Sequence, residues 1–493
     1  MVIMTAIVIK SFLLSSKNFV FFVFIVVVFA TKYFLLYIII YVEKKVIFVY
    51  NVSIMERKFY KINTYGCQMN IHDSEKLAGM LKTLGYEETD DDYKADVIVF
   101  NTCCIRESAE QKIYGNIGAL KGVKKEHKDL IIAVCGCMSQ QEGVAENIKQ
   151  KFPFVNIVFG THNLYMFEDY LKQNMATHKK VYDVWEKERE IVEDIPTYRT
   201  SMYNGWVNIM YGCNNFCTYC IVPYVRGRER SRKMEDIIAE VKALIAEGYK
   251  TITLLGQNVN SYGNDIDDKN VTFANLLTEI CKLDGDFRLR FMTSHPKDLN
   301  DDVIAVIARE PKLSKAIHLP VQSGSNKILK AMNRNYTVEH YKNLIDKIKK
   351  AIPNVSLTTD LIVGFPGETE EDFEGTLDLV RYCRYTGIFG FMYSKRRGTV
   401  AEKMDNQVPI SVKRERVNKL LALSKEIGKE ITEAMVGKTF EVLMYNEKGK
   451  FVGKTECGKT IEITNATDDL KAGEFYKATI DKFKSNKLYG RVI

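Results

Sequence analysis

GWVNIMYGCNNFCTYC, residues 205–220, runs from an apolar, strand-like segment straight into three cysteines, Cys213, Cys217 and Cys220, spaced CxxxCxxC. The segments beyond residue 220 decide the fold. Apolar runs TITLLG, RLRFMTS, AIHLPVQ, VSLTTDLIVGF and IFGFMYS alternate with helical segments such as MEDIIAEVKALIAEG and VEHYKNLIDKIKKA. Six strands in βα order predict a partial (β/α)6 barrel over 205–430, whose chemistry collects at the carboxyl ends of its strands. The cysteine loop comes directly after the first of those strands and so stands at the active edge.

Upstream the alternation has already occurred once. KFYKINTYG, ADVIVFNT, LIIAVCG and VNIVFG are separated by amphipathic segments, which predicts a doubly wound α/β domain over 56–175. Residues 176–204 are polar, mixed in charge and without sustained period, as expected of a linker. Downstream, after the charged helix VKRERVNKLLALSKEIGKEIT, five short β-like runs predict a small antiparallel β-barrel over 431–493. The fold class is α/β, in three units.

The chain has 493 residues and a formal net charge of +8. The first 55 residues hold five lysines and one glutamate, which leaves +4 for the rest, so nucleic-acid binding has to rest on local basic clusters. Eleven cysteines in a large α/β chain argue against a secreted disulfide framework and for reduced thiols in the cytoplasm. Residues 1–54 form an apolar leader, read either as a non-native start preceding Met55 or as a membrane anchor. The start-site reading is preferred, because Lys32 sits mid-stretch, where a charge costs about 2.5–3.5 kcal/mol on insertion scales. Membrane association is expected only if this leader is genuine.

Three cysteines within eight residues raise the question of a fourth ligand. Structural zinc sites are closed and tetrahedral, and the nearest histidines, His178 and His295, form no spaced pair with the motif. An iron–sulfur cluster accommodates three thiolates and leaves one iron for an exogenous ligand. A second trio emerges once the strands are drawn: Cys67, Cys103 and Cys137 each come just after a strand of the first domain, 36 and 34 residues apart. Loops at the carboxyl ends of neighbouring parallel strands converge on one crevice, so these three could hold a second cluster. Cys135 reads as core, Cys104 as ambiguous, and Cys281, Cys383 and Cys457 as packing or surface residues.

CNNFCTYC resembles the cluster signature of radical S-adenosylmethionine enzymes, and residues 56–493 resemble the radical-SAM methylthiotransferases. YGCQMN (65–70), NTCCIRE (101–107), CGCMSQ (135–140), VPYVRGRERSR (222–232), LLGQNVNSYG (254–263), TSHP (293–296), HLPVQSGS (318–325) and TDLIVGFPGETEEDF (359–373) match that family in order. Within it, YGCQMN is similar to the tRNA enzymes acting on N6-isopentenyladenosine. One departure is YSKRRGT, where Lys395 and Arg397 stand at places the family usually gives to proline.

The resemblance implies two 4Fe-4S clusters, a radical-SAM one on Cys213, Cys217 and Cys220 and an auxiliary one on Cys67, Cys103 and Cys137, with S-adenosyl-L-methionine as cofactor. It implies methylthiolation at C2 of N6-(dimethylallyl)adenosine at position 37 of tRNA, with no catalytic side chain beyond the two clusters. Tyr219 and Gln257 are expected near the cofactor. RNA contacts are expected from Arg226, Arg228, Arg230 and Arg232, and from Lys482, Lys484, Lys487 and Arg491 on a C-terminal module resembling the TRAM RNA-binding fold. A monomer is expected; the electron donor and sulfur donor are unknown. The competing readings are a methylthiotransferase acting on threonylcarbamoyl-adenosine tRNA or on a ribosomal-protein aspartate, a non-catalytic iron–sulfur RNA-binding sensor, and a zinc-structured scaffold.

Overall fold

The computed structural model describes backbone and side chains together from residue 57 to residue 493, apart from 105–109 and 468. The leader or anchor expected over 1–54 lies outside the described residues. Among these, no helix is long and apolar enough to cross a membrane.

The first unit is a six-stranded parallel sheet. Its elements run β1 (Lys58–Thr64), α1 (Gln68–Thr83), β2 (Tyr86–Glu88), β3 (Val97–Thr102), α2 (Glu107–Glu126), β4 (Ile131–Gly136), α3 (Val144–Lys151), β5 (Ile157–Phe159), α4 (Phe167–Thr177) and β6 (Val181–Asp183). The strand order is β6-β5-β4-β3-β1-β2. β3 and β4 are buried along their whole length, which explains their unbroken apolar runs. Ile98, Phe100, Ile132 and Val134 pack under α2 and α3. Val97, Val99, Ala133 and Phe159 pack under α1 and α4 on the opposite face. The order reverses between β1 and β3, the place where a doubly wound sheet opens a crevice. The sequence ended this unit near residue 175, but β6 adds a sixth strand beyond it.

The second unit holds β7 (Asn204–Asn208), a short antiparallel pair β8 (Met210–Tyr211) and β9 (Arg230–Ser231), then β10 (Thr251–Leu255), β11 (Arg288–Met292), β12 (Ala316–His318), β13 (Ser356–Val363) and β14 (Gly387–Met392). β7-β10-β11 and β12-β13-β14 form two parallel three-stranded arcs. A single bridge, Leu289 to Leu313, carries the curve across the seam between them. Helices α5 (Val222–Val225), α6 (Met234–Ala246), α7 (Phe273–Cys281), α8 (Asp301–Arg309), α9 (Asn326–Ala331), α10 (Val338–Ala351) and α11 (Glu370–Cys383) alternate with the strands, and the long α12 (Ile410–Glu433) packs against β14. One apolar cluster, from Val207 to Ile427, fills the space between strands and helices.

The third unit is a closed five-stranded barrel of β15 (Thr439–Glu447), β16 (Lys450–Thr455), β17 (Thr460–Ile463), β18 (Phe475–Lys484) and β19 (Lys487–Val492), in the order β15-β16-β17-β19-β18. The expectation of a purely antiparallel barrel needs correcting, since β17 pairs parallel with β19. A closed ring of five strands must contain one such pair, because alternating directions cannot return to their start after an odd number of steps.

The polar stretch between the first two units is an extended strap rather than a free linker. Tyr198 N–H bonds the Glu75 carbonyl at 2.8 Å. Arg199 reaches Glu75 (3.6 Å) and Glu240 (2.7 Å), while Glu193 and Glu240 both take Arg232, at 2.6 and 2.7 Å. Charge without apolar period is what a buried ionic seam between two domains looks like in one dimension.

Candidate active site

The two cysteine trios face each other across one cavity. Its volume is about 280 Å³, and its lining includes Cys67, Cys103, Cys104 and Cys137 from the first sheet and Cys213, Cys217 and Cys220 from the second unit. The carboxyl ends of the two sets of parallel strands therefore open onto the same space.

Local backbone explains how each thiol arrives there. Gly212 has φ +75°, and a Cβ on it would lie 2.0 Å from the Arg228 carbonyl oxygen, so only glycine lets the chain turn into Cys213 beside the returning strand. Cys213 N–H then bonds the Gly227 carbonyl at 3.1 Å. Gly66 has φ +112°, and a Cβ there would meet Cys103 Cβ at 2.7 Å, so its absence allows the β1 and β3 loops to close together. Cys67 is the N-cap of α1, so the first turn of that helix fixes its backbone at the cavity.

Two buried arginines stand behind the thiols. Arg334 donates to Cys217 Sγ at 3.4 Å, to Tyr336 Oη at 2.8 Å and to the Pro320 carbonyl at 2.6 Å. Arg226 donates to Asn70 Oδ1 at 2.9 Å and Asp73 Oδ2 at 2.8 Å. The hydrogen bond from Cys104 holds the Cys137 thiol well below the ordinary cysteine range, helped by Arg226 against the effect of burial. Burial raises Cys213 to about 11 and Cys220 to about 12. Both thiols therefore bear their protons at neutral pH.

The donor set fits a cluster better than a single ion. Among the described residues no three Cys, His, Asp or Glu side chains converge on one metal position. Six cysteines in two groups, each near a cation, suit two broader iron–sulfur groups. Room for a polar cofactor is also present: Gln257 Oε1, Ser294 Oγ and His295 Nε2 are buried without a hydrogen-bond partner, and all three residues line the cavity. Burial and the nearby Arg334 and Lys297 keep His295 neutral.

The cavity gathers some of the predicted residues and leaves others outside. All six cysteines expected as ligands, with Tyr219 and Gln257, line it. Tyr219 also packs against Ile328, Met332, Phe365 and Tyr393. Two of the four arginines expected to meet RNA do not face solvent. Arg226 and Arg232 are each 6% exposed, the first held by Asp73 and Asn70, the second by Glu193 and Glu240, so neither is available to a phosphate. Arg228 is exposed and lies over the Phe216 ring at 4.3 Å, and Arg230 is half-buried. Lys482, Lys484, Lys487 and Arg491 are exposed on the barrel, with Arg491 paired to Asp481 at 3.0 Å. Two further residues, Asn70 and Arg334, escape sequence reasoning. Asn70 stands within the YGCQMN motif, but nothing in NRNY distinguishes Arg334 from a surface arginine.

A partial (β/α)6 barrel with a CxxxCxxC loop at its active edge and a second cysteine trio facing it defines a radical S-adenosylmethionine protein with an auxiliary centre. Residues 207–380 match the model of the radical SAM superfamily, and residues 59–160 match that of uncharacterized protein family UPF0004. The chain is 55% identical to a tRNA-2-methylthio-N(6)-dimethylallyladenosine synthase of Clostridium botulinum (strain Langeland) over 88% of its own length and 96% of the relative's. It is 54% identical to the same-named protein of Clostridium tetani, with the same coverage. The chain belongs to this family of synthases. Among solved structures, the radical S-adenosylmethionine methyltransferase TsrM of Kitasatospora setae, with tryptophan substrate and a SAM analog bound, superposes with a TM-score of 0.52 at 13% identity. That match covers 70% of this chain and 75% of the other, and it supports the fold alone.

Proposed function

We propose that the protein methylthiolates C2 of N6-(dimethylallyl)adenosine at position 37 of tRNA. The observation that carries this reading is the pair of cysteine trios lining one cavity. Insertion of sulfur at an unactivated aromatic carbon needs a radical generator and a sulfur-holding centre within reach of one substrate, which a single trio would not supply. The name borne by the close relatives supports the same substrate.

Cys213, Cys217 and Cys220 would hold one 4Fe-4S cluster and Cys67, Cys103 and Cys137 the other; when bound, the clusters and S-adenosyl-L-methionine supply radical and sulfur chemistry that no side chain provides. The chain's own residues bind and shield. Arg334 fixes the Cys217 thiol, and neutral His295, Ser294 and Gln257 offer uncommitted polar atoms to the cofactor. Tyr219 closes the apolar side. The units expected over 56–175, 205–430 and 431–493 divide the work into sulfur centre, radical centre and RNA grip, the last resting on Lys482, Lys484, Lys487 and Arg491 with Arg228 at the cavity side.

Anaerobically reconstituted protein, dimethylallylated tRNA and mass spectrometry of the nucleosides test the assignment. Cys217→Ala should abolish reductive cleavage of S-adenosylmethionine. Cys103→Ala should retain cleavage and form no 2-methylthio product. Full product formation by Cys103→Ala would remove the auxiliary centre from the reading, and cleavage without any modified tRNA in the unmutated protein would remove the substrate.

A further inference from the structure

Arg226 closes a short segment that joins one trio to the other. Cys220 is the last thiol of the radical-side trio, and Arg226 lies six residues on. Between them, Ile221 and Val225 leave the second unit and are buried in the apolar cluster of the first, among residues including Phe100, Ile113 and Met138. Thr161 Oγ1, also of the first unit, donates to the Val225 carbonyl. The Arg226 guanidinium thus enters the first unit on an anchored backbone.

There it meets an amide whose orientation is fixed. Asn70 Nδ2 donates to the carbonyls of Tyr65 (2.8 Å), just past the end of β1, and Thr102 (2.9 Å), the last residue of β3. Its oxygen is consequently turned inward, 3.8 Å from Cys67 Sγ, 4.0 Å from Cys137 Sγ and 2.9 Å from Arg226 Nη2. Asp73 takes the same nitrogen at 2.8 Å. A guanidinium this deeply buried is costly to desolvate, and one carboxylate with one amide is a thin return unless further negative charge is to be met. Three thiolates on one centre would bring that charge.

We propose that Arg226 is a positioning residue serving both trios: it compensates the charge of the Cys67/Cys103/Cys137 centre and holds that centre at a fixed separation from Cys220. The proposal rests on the two-cluster reading, and the potentials that test it are independent of the tRNA substrate. It explains why an arginine in a run resembling an RNA-binding patch turns inward while its neighbour Arg228 stays outside.

The experiment compares the reconstituted full chain with Arg226→Lys, Arg226→Met and Asp73→Asn/Arg226→Met. Iron content, the reduction potential of each centre by spin-resonance-monitored titration, and 2-methylthio product per S-adenosylmethionine cleaved are measured. Arg226→Met should shift the auxiliary centre to lower potential, since a lost positive charge disfavours the added electron, while the radical-side centre shifts less. Product per cleavage should fall at least tenfold. Arg226→Lys should restore the potential but only part of the product ratio, because the shorter lysine stem stops short of the position of Nη2, the nitrogen that reaches both Asn70 and Asp73. The double variant removes one charge of each sign, so it should recover the potential and keep the low ratio; it also serves if Arg226→Met does not fold. An unchanged auxiliary potential in Arg226→Met at full iron content, or equal shifts at both centres, would overturn the proposal. If the unmutated protein makes no methylthiolated nucleoside the substrate reading fails, and the potentials still judge Arg226.

Discussion

Glu75 is 1% exposed, on α1, and faces Arg199 at 3.6 Å from the extended strap. Burial raises its carboxyl to about 7, and Arg199 only partly offsets this. The folded state therefore binds this proton more tightly than the unfolded chain, where a glutamate titrates near 4.3. Between about pH 4.5 and 7 the unfolded chain sheds the proton first, so this residue makes stability fall as pH rises through that window. Glu75→Gln should flatten the change, and the difference in melting temperature between the two proteins should grow from pH 4.5 to 7. A difference independent of pH would show that Glu75 is ionised throughout. His72, wholly buried beside Glu75 at 3.3 Å, stays neutral because burial and the cations Lys76, Arg199 and Arg232 depress it. The unfolded chain protonates it below about 6.5, so it adds an opposing rise of stability up to that pH, which the comparison of the two proteins cancels.

At the scale of elements, α11 shows how the active edge is held in register. Thr369 accepts from Asp372 N–H and the Asp372 carboxylate accepts from Thr369 N–H, a reciprocal capping box. The same carboxylate takes Ser325 Oγ at 2.7 Å and Lys327 Nζ at 2.8 Å, which ties the start of α11 to the start of α9. Burial raises Asp372, but these hydrogen bonds win and hold it far below the ordinary carboxylate range. Thr369→Ala should cost about 1 kcal/mol, the usual loss of a cap. Asp372→Ala should cost more and loosen the HLPVQSGS loop, since it cuts the cap and both ties together. Chemical denaturation measures both, and equal losses would show that the ties to Ser325 and Lys327 contribute nothing.

Elements were also the most legible part of the sequence. Apolar runs such as VIVF and IIAVCG announce strands buried on both faces, so the parallel sheets and their order of chemistry could be drawn from periodicity. Short-range signals failed where partners are remote. β6 is three residues long and defined by pairing with β5, and the parallel β17–β19 contact depends on ring closure. The same limit governs the site. Cysteines could be read from spacing because ligand chemistry repeats locally, whereas the inward turn of Arg226 and Arg232 depends on Asp73, Glu193 and Glu240, and the first two lie 153 and 39 residues away.

For the whole molecule, the inward arginines move the electrostatic footprint. With Arg226 and Arg232 spent on ion pairs, the exposed positive charge expected to meet RNA falls on Arg228 beside the cavity and on Lys482, Lys484 and Lys487 of the barrel, Arg491 being engaged by Asp481. Each phosphate contact by such a lysine releases condensed counterions and adds about 0.7 to the slope of log affinity against log salt for single-stranded segments, somewhat more for duplex. The triple change Lys482→Gln, Lys484→Gln, Lys487→Gln should therefore lower the steepness of that slope by about 2 for tRNA, if each lysine meets one phosphate. It should leave the clusters' iron content unchanged, since all three side chains stand on β18 and β19, outside the cavity. Fluorescence anisotropy of labelled tRNA over a series of salt concentrations reads the slope directly. A parallel loss of affinity at every salt concentration, with the slope preserved, would mean that the lysines shape the barrel and that the phosphates are met elsewhere.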